Sequence, residues 1–397
     1  MRIVILIILF PIFVAAQTTS DGTRFITHAL VLADTSLEVK STESAYFPWI
    51  EEYEFRTETR DLDFEKQEYV MRLSPSTSEK RKAQARLYSL LQSSPNFDLR
   101  KSFCDRSIEV HAHWISLYII DNQLEQLSAL EKNLDDKSRV YEKYIGIYEF
   151  DFQKLVSIEQ IRTDLNLKKY SLENERKFIL SKYNLDPQIF DYSQFIGTQE
   201  ITEAITTLDL YINNEDVIED AYKMDMIQAE IALEEAEDNQ ILDFVQLRYQ
   251  GPHDNLFKER FSVGMGVRLP NNGNRILKMK ELELEFNEIL DERVLDQQES
   301  QLELQQIKEE LRRDIAVLAY YDDQIKKERL KLQSLTEKIT AEEGYNPISI
   351  LNIEERAISN GIDRIQMLEE ILFDYLNYLK RSGQICGSEL RNFFEKP

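Results

Sequence analysis

Apolar and polar residues alternate strictly from Phe261 to Leu269. Phe261, Val263, Met265, Val267 and Leu269 fall on one face, and Ser262, Gly264, Gly266 and Arg268 on the other. A period of two over about ten residues predicts a strand, of the length a tilted strand needs to cross a bilayer. Three more stretches alternate. In Trp49–Arg60, Tyr53, Phe55, Thr57 and Thr59 oppose Glu52, Glu54, Arg56, Glu58 and Arg60. In Glu68–Ser74, Tyr69, Met71 and Leu73 oppose Glu68, Val70 and Arg72; in Leu242–Gln250, Val245, Leu247 and Tyr249 oppose Gln246, Arg248 and Gln250. A face as densely charged as that of Trp49–Arg60 must meet water, in a lumen or on an open surface.

The rest reads as helix. Arg24–Glu43 carries apolar residues at helical spacing. Ser76-Thr77-Ser78-Glu79 has the spacing of a capping box and starts a long helix, with a break predicted at Ser93–Asn96 because Pro95 has no N–H to donate. Helical pattern resumes to about Lys137, turns at Gly146 and returns over Phe150–Tyr183, where Asp186-Pro187 stops it. A third helical run spans Glu200–Gln240. Arg275 to Thr340 holds neither Gly nor Pro, a helix on the order of 100 Å. Leu304, Ile307, Leu311, Ile315 and Leu318 follow 3-4-4-3 spacing, the seam of a coiled coil. After a turn at Gly344–Pro347 a final helix runs from Ile348 to Arg381, with Gly383 at its C-terminal cap. The fold class expected is mainly α with a small β part.

The pattern occurs twice. Met71-Arg72-Leu73 before Pro75 matches Val267-Arg268-Leu269 before Pro270, an offset of about 195 residues. Val156-Ser157-Ile158 matches Ile348-Ser349-Ile350, and Ile179-Leu180 with Tyr183 matches Ile371-Leu372 with Tyr375, both at an offset of about 192. This divides the chain into 17–198 and 199–397, each a strand–strand–helical-hairpin repeat.

Residues 1–16 read as a secretory signal peptide: Arg2, an apolar Ile3–Val14, and the small residues Ala15-Ala16 before the cut. With no other long apolar run, any membrane crossing falls to strands. A net charge of −24 without a basic run speaks against nucleic acid as a partner. Four histidines, with His111 and His113 on diverging faces, give no metal-ligand set beside Cys104. No nucleophile elbow, phosphate loop or dinucleotide fingerprint is present, so neither an enzyme nor a cofactor is expected.

The strand with "VGMGVRLP", the Gly-containing turn and "NRILKMKELELEF" resemble a strand–helix junction of the outer-membrane efflux proteins, the TolC-like channels. Glu342–Gly383 resembles that family's closing helical segment. The resemblance implies a homotrimer whose four strands per chain close one transmembrane β-barrel, continued by long α-helical coiled-coil hairpins into the periplasm. It implies a passive exit duct in the outer membrane, working with a periplasmic adaptor and an inner-membrane transporter. Phe261, Val263, Met265 and Val267 would then face outer-membrane lipid, Gly146 and Gly344 would mark the periplasmic turns, and Glu354 and Glu355 are the acids nearest the family's carboxylate-ringed aperture, whose paired Asp are not reproduced. The alternative is a non-conducting periplasmic coiled-coil scaffold or adhesin component. Cys104 and Cys386 fall at nearly the same height of such a tube, so a disulfide between protomers is open beside internal pairing or free thiols.

Overall fold

A computed structural model describes residues 20–34, 47–59, 67–143, 145, 152–186, 190–207, 215–250, 260–268, 273–339, 347–386 and 391–396. The signal-peptide reading and the turn glycines Gly146 and Gly344 lie outside the described residues. The element order is α1 (Asp21–Asp34), β1 (Ile50–Thr59), β2 (Gln67–Pro75), α2 (Ser78–Lys143), α3 (Phe152–Lys182), α4 (Thr198–Thr207), α5 (Glu215–Asp238), β3 (Leu242–Gln250), β4 (Phe261–Val267), α6 (Gly273–Ile339) and α7 (Pro347–Arg381). Strand, strand, long helix, shorter helix thus occur twice. The chain divides into two compact units that cut across these halves. One holds residues 1–36, 104–211 and 304–397, and the other 37–103 and 212–303.

The second unit holds the sheet, antiparallel in the order β1-β2-β3-β4. Its two hairpins share one register. Tyr53 pairs with Leu73 and Val245 with Met265, so both members move by 192 residues, 53 to 245 and 73 to 265. The strands therefore keep the same offset as the helices, and the sequence match at about 195 lies out of structural register. The repetition "x-Arg-Leu" before proline drew the match. Each hairpin also carries one extra residue at the matching place, Glu51 in β1 and Asp243 in β3, and each of these acids is paired, with Lys80 at 2.7 Å and Arg268 at 2.6 Å. The Ser76 N–H donates to the Trp49 carbonyl at 2.7 Å and the Arg268 N–H to that of Ile241 at 2.8 Å, closing both hairpins alike.

Two expectations for α2 change. Its N-cap is Thr77, whose Oγ1 accepts the Lys80 N–H at 3.1 Å, so the cap falls one residue beyond the Ser76 box. The helix also runs through Pro95. A proline removes one donor, here the partner of the Leu91 carbonyl, and a helix anchored on both sides tolerates that. Next to it the Leu90 carbonyl accepts the hydroxyls of Ser93 at 2.6 Å and Tyr222 of α5 at 3.0 Å. The run expected over Glu200–Gln240 is two helices, α4 and α5.

The other unit is helical. Leu127 and Leu134 of α2 bury against Ile158 and Leu165 of α3, with Ile362 of α7 packed beside them. Leu304, Ile307, Leu311 and Leu318 of the expected seam are buried; Ile315 is half-buried, and Asp314 is buried instead. The repeat-matched residues Ile179, Leu180, Tyr183 and Ile371, Leu372, Tyr375 are all buried. Helix α7 ends as the sequence indicates: Gly383 has φ 72°, its N–H reaches the Lys380 carbonyl and the Gln384 N–H that of Leu379, each at 3.0 Å. Helix α3 closes the same way on Asn184, φ 52°.

A strap at the C-terminus ties this unit together. Cys386 is bonded to Cys104 of α2 within the one chain, Cα–Cα 4.7 Å, the internal pairing among the alternatives the sequence leaves open. Phe394 is buried between the rings of Phe195, Tyr375 and His111. Its carbonyl accepts the Ile196 N–H at 3.0 Å, and Glu395 accepts from the Thr23 hydroxyl of α1 at 2.8 Å. His111 places one ring nitrogen 2.7 Å from the Ser107 carbonyl and the other 3.3 Å from that of Arg391. Breaking the disulfide by Cys386→Ser should cost on the order of 2–5 kcal/mol. Denaturant titration of the wild type with and without reductant checks this, since the reduced wild type and the variant should unfold together.

Between α6 and α7, burial first, then the carboxylates Asp314, Glu310 and Glu370, hold the Asp374 carboxyl above its ordinary range. A carboxyl whose pKa is higher folded than unfolded weakens the fold above that folded value and ceases to do so once both states are protonated. Asp374→Asn should therefore stabilise the protein at neutral pH, with the gain shrinking as pH falls through the raised value. Thermal melts over that pH range check the sign.

Candidate functional site: a sheet with one apolar and one charged face

The register brings Tyr53 and Phe55 of β1, Tyr69, Met71 and Leu73 of β2, Val245, Leu247 and Tyr249 of β3, and Phe261, Val263 and Met265 of β4 onto one face. Most of these side chains are exposed, as are Val267 and Leu242 at one end of the face. Near the hairpin-loop end the rings form a row across the sheet: Phe55 to Tyr69 at 6.1 Å, Tyr69 to Tyr249 at 6.2 Å, Tyr249 to Phe261 at 4.9 Å. Trp49 marks the opposite end, its ring under the Arg81 guanidinium at 3.9 Å. A continuous apolar patch four strands wide, bounded by aromatics, far exceeds what scattered surface leucines produce.

The reverse face is charged and cross-linked. Glu68 takes Arg248 from the neighbouring strand, with Nε at 3.0 Å. Arg72 reaches Glu54 at 3.2 Å and the Gln246 side-chain carbonyl at 3.4 Å, and lies 4.0 Å over the Phe244 ring. Strand β4 gives this face only Ser262, Gly264 and Gly266. Phe244 escaped the sequence reading because that reading began its alternation at Val245. The signal was there, since Phe244 is two residues before Gln246 and pairs with Gly266. An added Cβ at Gly266 would overlap the Phe244 ring, whereas at Gly264 the nearest side-chain atom is Gln246 Cβ at 4.0 Å.

This backbone has counterparts among solved structures. The outer membrane protein VceC from Vibrio cholerae is similar, with 9% identity over 84% of this chain and 85% of that one, TM-score 0.58. So is the CmeC outer membrane channel of Campylobacter jejuni, with 10% identity over 92% and 83%, TM-score 0.58. The Neisseria gonorrhoeae MtrE outer membrane channel, in its open state, shares 10% identity over 94% and 86%, TM-score 0.57. The fold is TolC-like. No family model and no curated protein sequence matches. Within the TolC-like fold of this chain, no helix of the described residues is long and apolar enough to cross a membrane.

The remaining sequence candidates belong to the helical unit. Glu354 and Glu355 are half-buried on α7, and each meets α2. Asn133 donates to Glu354 and to the Leu351 carbonyl, both at 3.1 Å, and the buried Lys137 pairs with Glu355 at 2.5 Å. Cys104 is occupied by its disulfide with Cys386.

The two glycines of β4 should respond differently to one methyl group. Gly266→Ala should destabilise by on the order of 1–3 kcal/mol through overpacking against Phe244. Gly264→Ala should fall within about 0.5 kcal/mol of wild type. Paired denaturation curves check it, and equal costs would refute the assigned packing.

Proposed function

We propose that this chain is one third of a passive outer-membrane exit duct, a member of the efflux-protein family. Three copies contribute four strands each to a twelve-stranded barrel, with Phe261, Val263, Met265 and Val267 toward lipid. The single observation that carries this reading is the sheet with an exposed apolar face on one side and ion pairs on the other. A soluble sheet would bury the apolar side against helices. A barrel wall puts it in lipid and the charged side around a water-filled lumen. The TolC-like fold, shared with outer membrane channels, supports it as well.

On this reading α2 and α6 leave β2 and β4 as tube walls in the periplasm, and the chain works with an adaptor and an inner-membrane transporter. Gly146 and Gly344 turn the hairpins at the far end. Glu354 and Glu355 lie near the aperture, where their bonds to Asn133 and Lys137 would hold α7 against α2. The halves 17–198 and 199–397, behind a signal peptide of residues 1–16, are the duplicated wall segments.

Purified protein in a planar bilayer should conduct in discrete steps. Met265→Arg should weaken membrane assembly by about 2–4 kcal/mol, the cost of such a charge at the bilayer midplane. Gly264→Arg, on the charged face, should assemble and change conductance. Extraction with the soluble periplasm and silence in the bilayer would favour the scaffold reading.

A further inference from the structure

A cavity of about 310 Å³ opens in the helical unit, lined by α4, by Tyr375 of α7 and by the C-terminal strap. We propose that it binds a small zwitterion, a molecule with an ammonium and a carboxylate on an apolar body, of the class of a hydrophobic amino acid. All of its walls belong to one unit, so the site is independent of barrel closure.

Two donors on this lining have no acceptor. Tyr375 is only 3% exposed, yet its hydroxyl has no hydrogen-bond partner among the described residues. Burial raises its pKa to about 12, so it stays protonated, and the Arg391 guanidinium is near enough to act in the opposite direction. The repeat supplies a control. Tyr183 matches Tyr375 at the offset of 192 and is buried as well, but its hydroxyl meets His113 Nδ1 at 2.7 Å. Arg391 also lines the cavity and has no carboxylate within ion-pair distance among the described residues; its guanidinium lies 5.6 Å from the Phe393 ring. A buried hydroxyl and a guanidinium, both lacking an acceptor, make a cradle for a carboxylate.

Carboxylates complete the polar lining. Glu200 and Glu203 come from α4 and Glu395 from the strap, and none of them has a cationic partner among the described residues. Neutral donors hold each in place. Glu200 accepts the Gly197 N–H at 3.1 Å, Glu203 the Gln199 amide at 3.3 Å, and Glu395 the Thr23 N–H at 3.2 Å and its hydroxyl at 2.8 Å. The cavity is therefore short of positive charge, and an ammonium would supply it. On the other side, the Arg391 backbone is fixed by its carbonyl, 3.3 Å from His111 Nε2. Charged groups set before a ligand arrives cost little to order when it binds. Ile196, Ala204 and Phe393 give the apolar part of the lining. A volume near the lower end for ligand cavities suits a body the size of one side chain. A ligand holding both charges would tie α4 to α7 and the strap.

The test is calorimetric titration of the full-length protein in detergent with three probes of one shape. These are phenylalanine, phenethylamine, which lacks the carboxylate, and phenylpropanoate, which lacks the ammonium. Phenylalanine should bind saturably and at least about tenfold more tightly than either truncated probe, the loss expected for a charge-assisted hydrogen bond. Arg391→Gln and Tyr375→Phe should each weaken phenylalanine binding on the carboxylate side, and Glu203→Gln on the ammonium side. Melts without ligand check that each variant folds, and Tyr375→Phe keeps the ring that packs 5.7 Å from Phe394. No saturable binding of any probe overturns the site, and a protein that still conducts in a bilayer then keeps the duct reading without it. Phenethylamine bound as tightly as phenylalanine overturns the carboxylate cradle, and phenylpropanoate bound as tightly overturns the ammonium side. Phenylalanine affinity unchanged in both folded Arg391→Gln and Tyr375→Phe puts the binding elsewhere and overturns the assignment.

Discussion

A backbone N–H or C=O facing hydrocarbon must find a partner, because no water is there to supply one, and each unpaired group costs several kcal/mol. Four strands with an apolar outer face cannot meet that demand alone, since the two outermost strands each leave one row of groups open. On the barrel reading proposed above, the arrangement of unit and repeat in this chain answers that constraint. The charged face is cross-linked by ion pairs between strands, β4 gives that face only Ser262, Gly264 and Gly266, and the bulges are confined to the ends where β1 and β3 begin. The exposed apolar face and the two open edges are the liabilities of this sheet standing alone, and a strand ring in lipid would remove both.

The repeat is more regular in three dimensions than in the sequence. Register, bulge, paired bulge acid and closing hydrogen bond all recur at one offset of 192 residues, although few of the side chains are the same. Duplication conserves the backbone geometry that strand pairing imposes, and leaves side chains free as long as each keeps its face. That is why Arg72 and Gly264 can occupy matching positions. One supplies charge to that face and the other leaves it bare.

The helical unit is held by a different device. Its C-terminal strap joins α1, α2, α7 and the segment around Phe195 through one disulfide, one buried phenylalanine and a few backbone bonds. The bond spans 282 residues of sequence, so it removes much of the freedom of the unfolded chain. It also requires an oxidising compartment, which agrees with an exported protein.

Periodicity determined the four strands to within about two residues and the seam from Leu304 to Leu318, because these depend on which face each side chain takes, while the long Gly- and Pro-free run gave α6 and Gly383 gave the end of α7. It placed Phe261, Val263, Met265 and Val267 on one face for the same reason. What it could not reach was long-range. A local motif before proline suggested an offset of about 195, and only cross-strand pairing reveals 192. Pro95 reads as a break because one lost hydrogen bond is visible in sequence, while the rest of the helix that absorbs the loss is not. Cys104 and Cys386 fall at one height on a count along the chain, but whether they meet within one copy depends on how α2 and the strap after α7 pack, and that is decided by tertiary structure alone.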